Sequence, residues 1–371
     1  MRTTSLSILF RKAGIFETVG LLLFVLSAGA QQPQHATLTG RVLDDSTSAP
    51  LANVNVYIAN TTLGGNTDEH GVFEIRTIPV GIYDIVASRI GYSFHTFRAS
   101  LQEPRKRDFE VRLKPINVQM NEMVVSASDP TEWRIQLQKF NELFLGTTQN
   151  ARECRIANPE VLDFKSEGAN VFEATARQPL QIDNAALGYH MEFFLKSFKM
   201  ENDIMIFEGL PKFTELKPSS PKEGEQWRKN RMRAFRGSMR HFLVALFKKD
   251  LNRSGYSIFH LDFLQLGRVS SNRKLLTEDD ILSTSPTPTQ KALRFSGFLE
   301  VEYWGEVENG YNLLQKAGTI GQVSWLALNY FSVGINDRGY INEAFPTKVH
   351  GYWSWRRVGD MLPLDFEPEK D

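Results

Sequence analysis

The chain has one cysteine, Cys154, among 371 residues. A single thiol excludes an internal disulfide, so every folded unit must stand on a hydrophobic core. Two readings of Cys154 are open: a nucleophile or intermolecular disulfide partner, and a small buried apolar residue. No His or Asn sits in a recognisable cysteine-protease context, which favours burial. The sequence also lacks a charge excess, with 43 Lys+Arg against 43 Asp+Glu. A nucleic-acid binder shows a basic surplus, so that class of partner is not expected. Long apolar runs are missing too. Val19 to Leu26 is too short to span a bilayer, and nothing later is longer. Catalytic signatures are scarce. None of His35, His70, His95, His190, His241, His260 and His350 has Glu three residues on. There is no His-Glu-x-x-His and no Gly-x-Ser-x-Gly. Zinc peptidase and serine hydrolase chemistry therefore lack their usual carriers, and no catalytic residue, metal ligand or cofactor is assigned.

What is present begins with an export pattern. Arg2, Arg11 and Lys12 precede the short apolar run, and Ala28-Gly29-Ala30 has the small-x-small form a signal peptidase accepts. Residues 1–30 are expected to be a signal peptide cleaved before Gln31; an uncleaved anchor is the alternative. No cysteine follows the run, so no lipoprotein anchor is expected. Removing three basic groups and one acidic group leaves a mature net charge of −2. The expected location is the periplasm, or association with the outer membrane, and the remaining length suits about two domains.

Residues 36–115 alternate with a period of two. Leu38, Gly40 and Val42 alternate with Thr39, Arg41 and Leu43; Val54, Val56 and Ile58 alternate with Asn55, Tyr57 and Ala59. That period marks strands with one buried face. Turn residues recur at Asp44-Asp45-Ser46, Gly64-Gly65-Asn66, Asp68 to Gly71, Pro79 to Gly81 and Gly91. About seven short strands at this spacing predict a β-sandwich. Thr39-Gly40-Arg41-Val42, Pro50 to Val56, Thr67 to Phe73, Ile78 to Tyr83 and Ile90-Gly91-Tyr92 together resemble the carboxypeptidase-regulatory-like domain, a transthyretin-like sandwich. The resemblance implies a carbohydrate-binding-like module and no peptidase activity.

Residues 116–130 read as a linker. Its Asn121 to Ala127 stretch, with Val124-Val125, resembles the segment that in many Bacteroidota leads into a TonB-dependent receptor; here no barrel-forming series of strands follows. Residues 131–371 read as a separate α+β domain, making the whole chain mainly β. Trp133, Leu137, Phe140 and Phe144 predict a helix over 131–146. Val161–Lys165, Val171–Ala176, Tyr189–Phe198 and Ile204–Glu208 predict strands, with turns at Gly168, Asn184 and Gly209. Residues 223–250 predict a second helical region, with an apolar stripe of Met232, Phe235, Met239, Leu243 and Leu246, which Gly237 can kink or split. Further strands are expected over 293–345, with a loop at Ser283 to Pro288 and turns at Asn309-Gly310 and Asn336 to Gly339. Trp355, Val358 and Leu362 share a helical face ended by Pro363. Arg233 to Leu243, Cys154 to Leu162, Leu187-Gly188-Tyr189 and Gly351 to Pro363 resemble a group of Bacteroidota envelope proteins that share the sandwich. No activity comes with that likeness.

Two sets of residues stand out as candidate sites. Lys229, Arg233, Arg236 and Arg240 fall on one face of the second helical region and suit an anion: phosphate, lipopolysaccharide or an acidic polymer. The same pattern also describes a surface or inter-element face paired with the protein's own carboxylates. Tyr352, Trp353 and Trp355 suit stacking on a sugar, or packing in a core. The functional expectation is a non-catalytic envelope protein that binds a glycan or another envelope protein. The alternatives are a hydrolase using His190, His241 or His260 as base, and an accessory factor to TonB-linked uptake.

Overall fold

In a computed structural model the described residues are 35–101, 103–116, 130–168, 170–202, 204–264, 273–284, 290–305, 321–341 and 347–369. The expected signal peptide, the Val124-Val125 segment and the Asn309-Gly310 turn lie outside them. Seven strands form the N-terminal sandwich: β1 (His35–Asp44), β2 (Asn55–Ile58), β3 (Gly64–Asn66), β4 (Val72–Pro79), β5 (Gly81–Ser88), β6 (His95–Leu101) and β7 (Lys106–Leu113). They make a β4-β1-β7 sheet, with β1 and β7 parallel, packed on a β3-β2-β5-β6 sheet. Leu38, Val42, Val54, Val56, Ile58, Phe73 and Ile85 fill the space between, as the period of two requires. Gly71 takes φ +72° at the turn into β4, where a Cβ would meet the Val42 carbonyl. The expectation of one buried face fails for β2 and β5. Tyr57, Ala59 and Val86, on the opposite face, are also buried, against Leu210 and Phe194 of the chain's second half.

Among its described residues that second half has two large cores and a small cluster of Leu261, Val323 and Trp325. Helix α1 (Pro130–Phe144) lays Phe140 and Phe144 on a six-stranded sheet, among Phe172, Phe193 and Phe198. After a short α2 (Gln149–Arg152), this sheet contains β8 (Cys154–Ile156), β9 (Leu162–Glu167), β10 (Val171–Ala176), β11 (Leu180–Asn184), β12 (Tyr189–Glu201) and β13 (Ile204–Glu215). The long β12–β13 hairpin corrects one expectation. Gly209 is no turn; it lies inside β13 beside a register shift, where a Cβ would come 2.1 Å from the Phe193 ring. Glycine there lets the ring cross the strand.

The second helical region splits at Gly237 (φ +68°) into α3 (Pro221–Phe235) and α4 (Met239–Lys248). Ser220 and Ser238 cap the two helices by accepting from Glu223 N and His241 N. Helix α4 buries Phe242, Leu243 and Leu246 in the second core, with Leu299, Val301, Leu326 and Tyr352. Behind that core lie a five-stranded sheet and a three-stranded one. Ser283 and Thr284 end a strand rather than open a loop. The C-terminal helix is one turn, Tyr352–Trp355, then a 3-10 turn at Val358–Asp360. Continuity is lost because Arg356 turns back, donating to the Tyr352 hydroxyl and to the Arg233 and Ala234 carbonyls that end α3. Among the described residues no helix is long and apolar enough to cross a membrane.

Candidate functional site

The sandwich and the second half meet along real hydrogen bonds. Asn60, in the left-handed region at φ +64°, donates its N–H to the Pro211 carbonyl at 2.7 Å, and Phe213 N donates to the Thr61 carbonyl at 2.9 Å. The Tyr57 hydroxyl reaches the Leu210 carbonyl at 3.1 Å. The C-terminal tail then threads the junction. Leu364 N donates to the Asn60 carbonyl at 2.7 Å, and the Asp365 carboxylate accepts from both the N–H and the hydroxyl of Thr62.

Helix α3 forms the opposite wall. Its side chains take the carbonyls of four consecutive turn residues. Trp227 Nε1 donates to Ala185, Asn230 to Ala186, and Arg231 to Leu187 and Gly188. Gly188 (φ +67°) has the Trp227 ring 2.3 Å from where a Cβ would sit, so the close approach needs glycine. Arg231 also pairs with Glu215 and stacks 4.1 Å above the Tyr189 ring.

Between these walls lies a cleft of about 400 Å³, lined by Thr62, Tyr189, Trp227, Arg228, Asp365 and Glu367 among others. That volume is within the usual range for small-ligand pockets, roughly 300–1,000 Å³. Tyr189 is 3% exposed, and its hydroxyl has no hydrogen-bond partner among the described residues. Burial pushes that phenol up to about 12, so at neutral pH it is a protonated donor.

The candidate anion residues are dispersed by the break at Gly237. Lys229 pairs with Glu225 on the exposed side of α3, and Arg233 donates to Asn230 at 3.0 Å. Arg236 caps α3. Arg240 reaches the tail. Its guanidinium donates to the Arg338, Pro363, Leu364 and Phe366 carbonyls at 2.8–3.0 Å. Burial, with Arg338 nearby, lowers its pKa to about 10. Lys229 and Arg233 keep one face of α3 and Arg236 ends it, but the break at Gly237 puts Arg240 on α4, so the four do not line a single face. Of the aromatic candidates, Tyr352 (0% exposed) and Trp353 (7%) are core residues, and Trp353 Nε1 donates to the Gly237 carbonyl. This corrects the stacking expectation for both: neither ring offers a face to solvent. Trp355, half-buried, donates to Thr147 Oγ1.

The histidines proposed as bases are engaged. His190 spends both ring nitrogens, on Asp183 at 2.8 Å and Gln181 at 2.9 Å. His241 Nδ1 accepts from Gly237 N and faces the buried Tyr256 hydroxyl at 2.9 Å; His260 contacts the Ser296 carbonyl. Cys154 has its thiol pushed up to about 12, chiefly by burial. Among the described residues no cluster of His, Cys, Asp or Glu is arranged to hold a metal ion. The cleft residues Trp227, Arg228 and Arg231 escaped the sequence reading because they neighbour the chosen stripe on the same helix. Their partners, Thr62, Tyr189 and Asp365, are remote in sequence. The only signal was Leu187-Gly188-Tyr189, the turn that α3 grips.

Fold and junction define a mainly β protein with an N-terminal sandwich docked on a larger β-rich body. The model of the CarboxypepD_reg-like domain family matches residues 38–125, so the sandwich is a domain of that kind. No curated protein matches the chain. Among solved structures, a chain of a type II cohesin–X-dockerin complex from Acetivibrio cellulolyticus is 25% identical, covering 21% of this chain and 56% of that one, with a TM-score of 0.19. A putative carbohydrate binding protein from Bacteroides uniformis is 10% identical over 44% of this chain and 61% of that one, at 0.20. The pilus 2b backbone protein of group B streptococcus is 17% identical over 22% and 41%, at 0.18. Overlaps this partial carry no functional implication for this chain.

Proposed function

We propose that this is an exported, non-catalytic binding protein of the cell envelope, and that its junction cleft takes a polyhydroxylated ligand, a glycan. The observation that carries the reading is the cleft itself, with the Tyr189 phenol lacking a protein partner beside it. A phenol donor and carboxylate acceptors at Asp365 and Glu367 are groups that suit sugar hydroxyls. The sandwich supplies one wall through Thr62, so the site belongs to the joined molecule rather than to either half. A glycan array probed with wild type and Tyr189→Phe tests this. The variant keeps the ring beneath Arg231 and removes only the hydroxyl. A bound set that weakens about five- to tenfold in Tyr189→Phe supports the reading. An empty array, together with no partner recovered from envelope extracts, sinks it. Export is tested separately: protein recovered from the periplasmic fraction should begin at Gln31.

A further inference from the structure

Resting on that reading, we infer that the cleft selects a ligand carrying a protonated amine, an amino sugar rather than a neutral or acidic one. The argument is about which charges remain available. Four carboxylates line the cleft, Glu215, Asp365, Glu367 and Glu369, against two guanidinium groups, Arg228 and Arg231. Arg231 and Glu215 pair with each other, and Arg231, 7% exposed, also donates to two carbonyls, which leaves Asp365, Glu367 and Glu369 against Arg228. Arg240, behind the tail, donates to four carbonyls. Both guanidinium groups are held against their own protein partners, three of the five N–H donors bonded on Arg231 and four on Arg240. Among the described lining residues Arg228 is the exposed cation, 62% exposed and 4.0 Å from Glu369. An acidic ligand would meet Asp365 and Glu367 with only Arg228 to compensate.

The hydroxyl inventory points the same way. Thr62 already donates both its N–H and its O–H to Asp365. Of the cleft's neutral donors, Tyr189 remains, while carboxylate oxygens provide several acceptors. A site with more acceptors than donors suits a ligand with more donors than acceptors. An ammonium group on a sugar ring has three donors and no acceptor.

The test uses a glucosamine disaccharide, its N-acetylated counterpart and a glucuronate-containing disaccharide at pH 6, with binding followed by calorimetry on the full chain. The amine form should bind roughly fivefold tighter than the acetylated form, and the acidic form weakest, as one charge across a half-solvated cleft dictates. Arg228→Ala should tighten the amine form by about threefold, and Glu367→Gln should weaken it by about the same factor. Raising salt should erode the difference between amine and acetylated forms. Equal binding of the three sugars, tighter binding of the acidic one, or indifference to both substitutions overturns the inference. Binding of the acetylated sugar alone, still weakened by Tyr189→Phe, overturns the inference while leaving the glycan reading intact. Failure of all three sugars overturns it as well, and the glycan array then decides the broader reading.

Discussion

Replacing Arg240 by Met is the sharpest test of how the molecule is held together. The guanidinium joins four backbone carbonyls from two places in the chain, Arg338 in a turn and Pro363, Leu364 and Phe366 in the tail. Methionine keeps much of the stem volume and removes every donor. A hydrogen bond from a charged donor contributes about 1.5–3 kcal/mol. The four are not additive, the freed tail carbonyls gain water, and the substitution relieves the burial that lowers the Arg240 pKa to about 10. The net loss should be about 2–4 kcal/mol, which for a chain of this size lowers Tm by roughly 4–10 °C. Differential scanning fluorimetry measures the shift. Limited proteolysis supplies a second readout, since an unlatched tail should be cut first, between Pro363 and Glu369. Arg240→Lys should recover less than half the loss, because one ammonium cannot serve four carbonyls in a fork. A Tm within about 1 °C of wild type, with an equally resistant tail, would refute the latch. A phosphate-induced rise in Tm that vanishes in Arg240→Met would show the guanidinium serving an anion instead.

Other perturbations should behave as follows. Gly188→Ala must place a methyl 2.3 Å from the Trp227 ring at φ +67°; it should cost about 3–4 kcal/mol in urea unfolding, and a change under about 1 kcal/mol would contradict the packing. Cys154 should react slowly with Ellman's reagent at pH 8 in the folded protein and rapidly in urea, because its thiol is held near 12; equal rates would show an open thiol. The Asp44 carboxylate accepts from Thr47 N, the Tyr92 hydroxyl and Ser46 N, with the Thr47 bond the largest cause of its lowered pKa. A depressed folded value means stabilisation that is complete above the ordinary aspartate range, about 4, and lost as pH falls through the lower folded value. Asp44→Asn should therefore flatten the acid limb of the urea midpoint; an unchanged limb argues against it.

Much of the sandwich was legible because strand periodicity is a local property. Val54, Val56 and Ile58 point to the core in any chain that makes them a strand with that face inward. The aromatic stripe of α1 was readable for the same reason, as was the Asn336 turn, whose side chain accepts from Arg338 N and Tyr340 N. The one-turn break at Gly237 was readable as a possibility only, since glycine permits φ +68° without demanding it. Gly209 misled, because glycine marks both a turn and a strand crossed by a neighbour's ring, and only the position of Phe193 distinguishes them.

By itself, then, the sequence determined a sandwich of the carboxypeptidase-regulatory kind, a mainly β body with amphipathic helices, and a single thiol without a disulfide partner. Tertiary structure alone decided what the polar and aromatic residues do. Tyr57 and Val86 look solvent-facing by alternation, yet the docking of the second half buries them. Arg240 looks like a surface cation by spacing, yet it clamps a tail more than a hundred residues away. Tyr352 and Trp353 suit a stacking platform or a core by sequence, and the fold puts them in a core. The physical reason is common to all three. Periodicity says which face of an element is apolar, but what covers its other face, and which carbonyls its side chains reach, depends on contacts between segments distant in the chain.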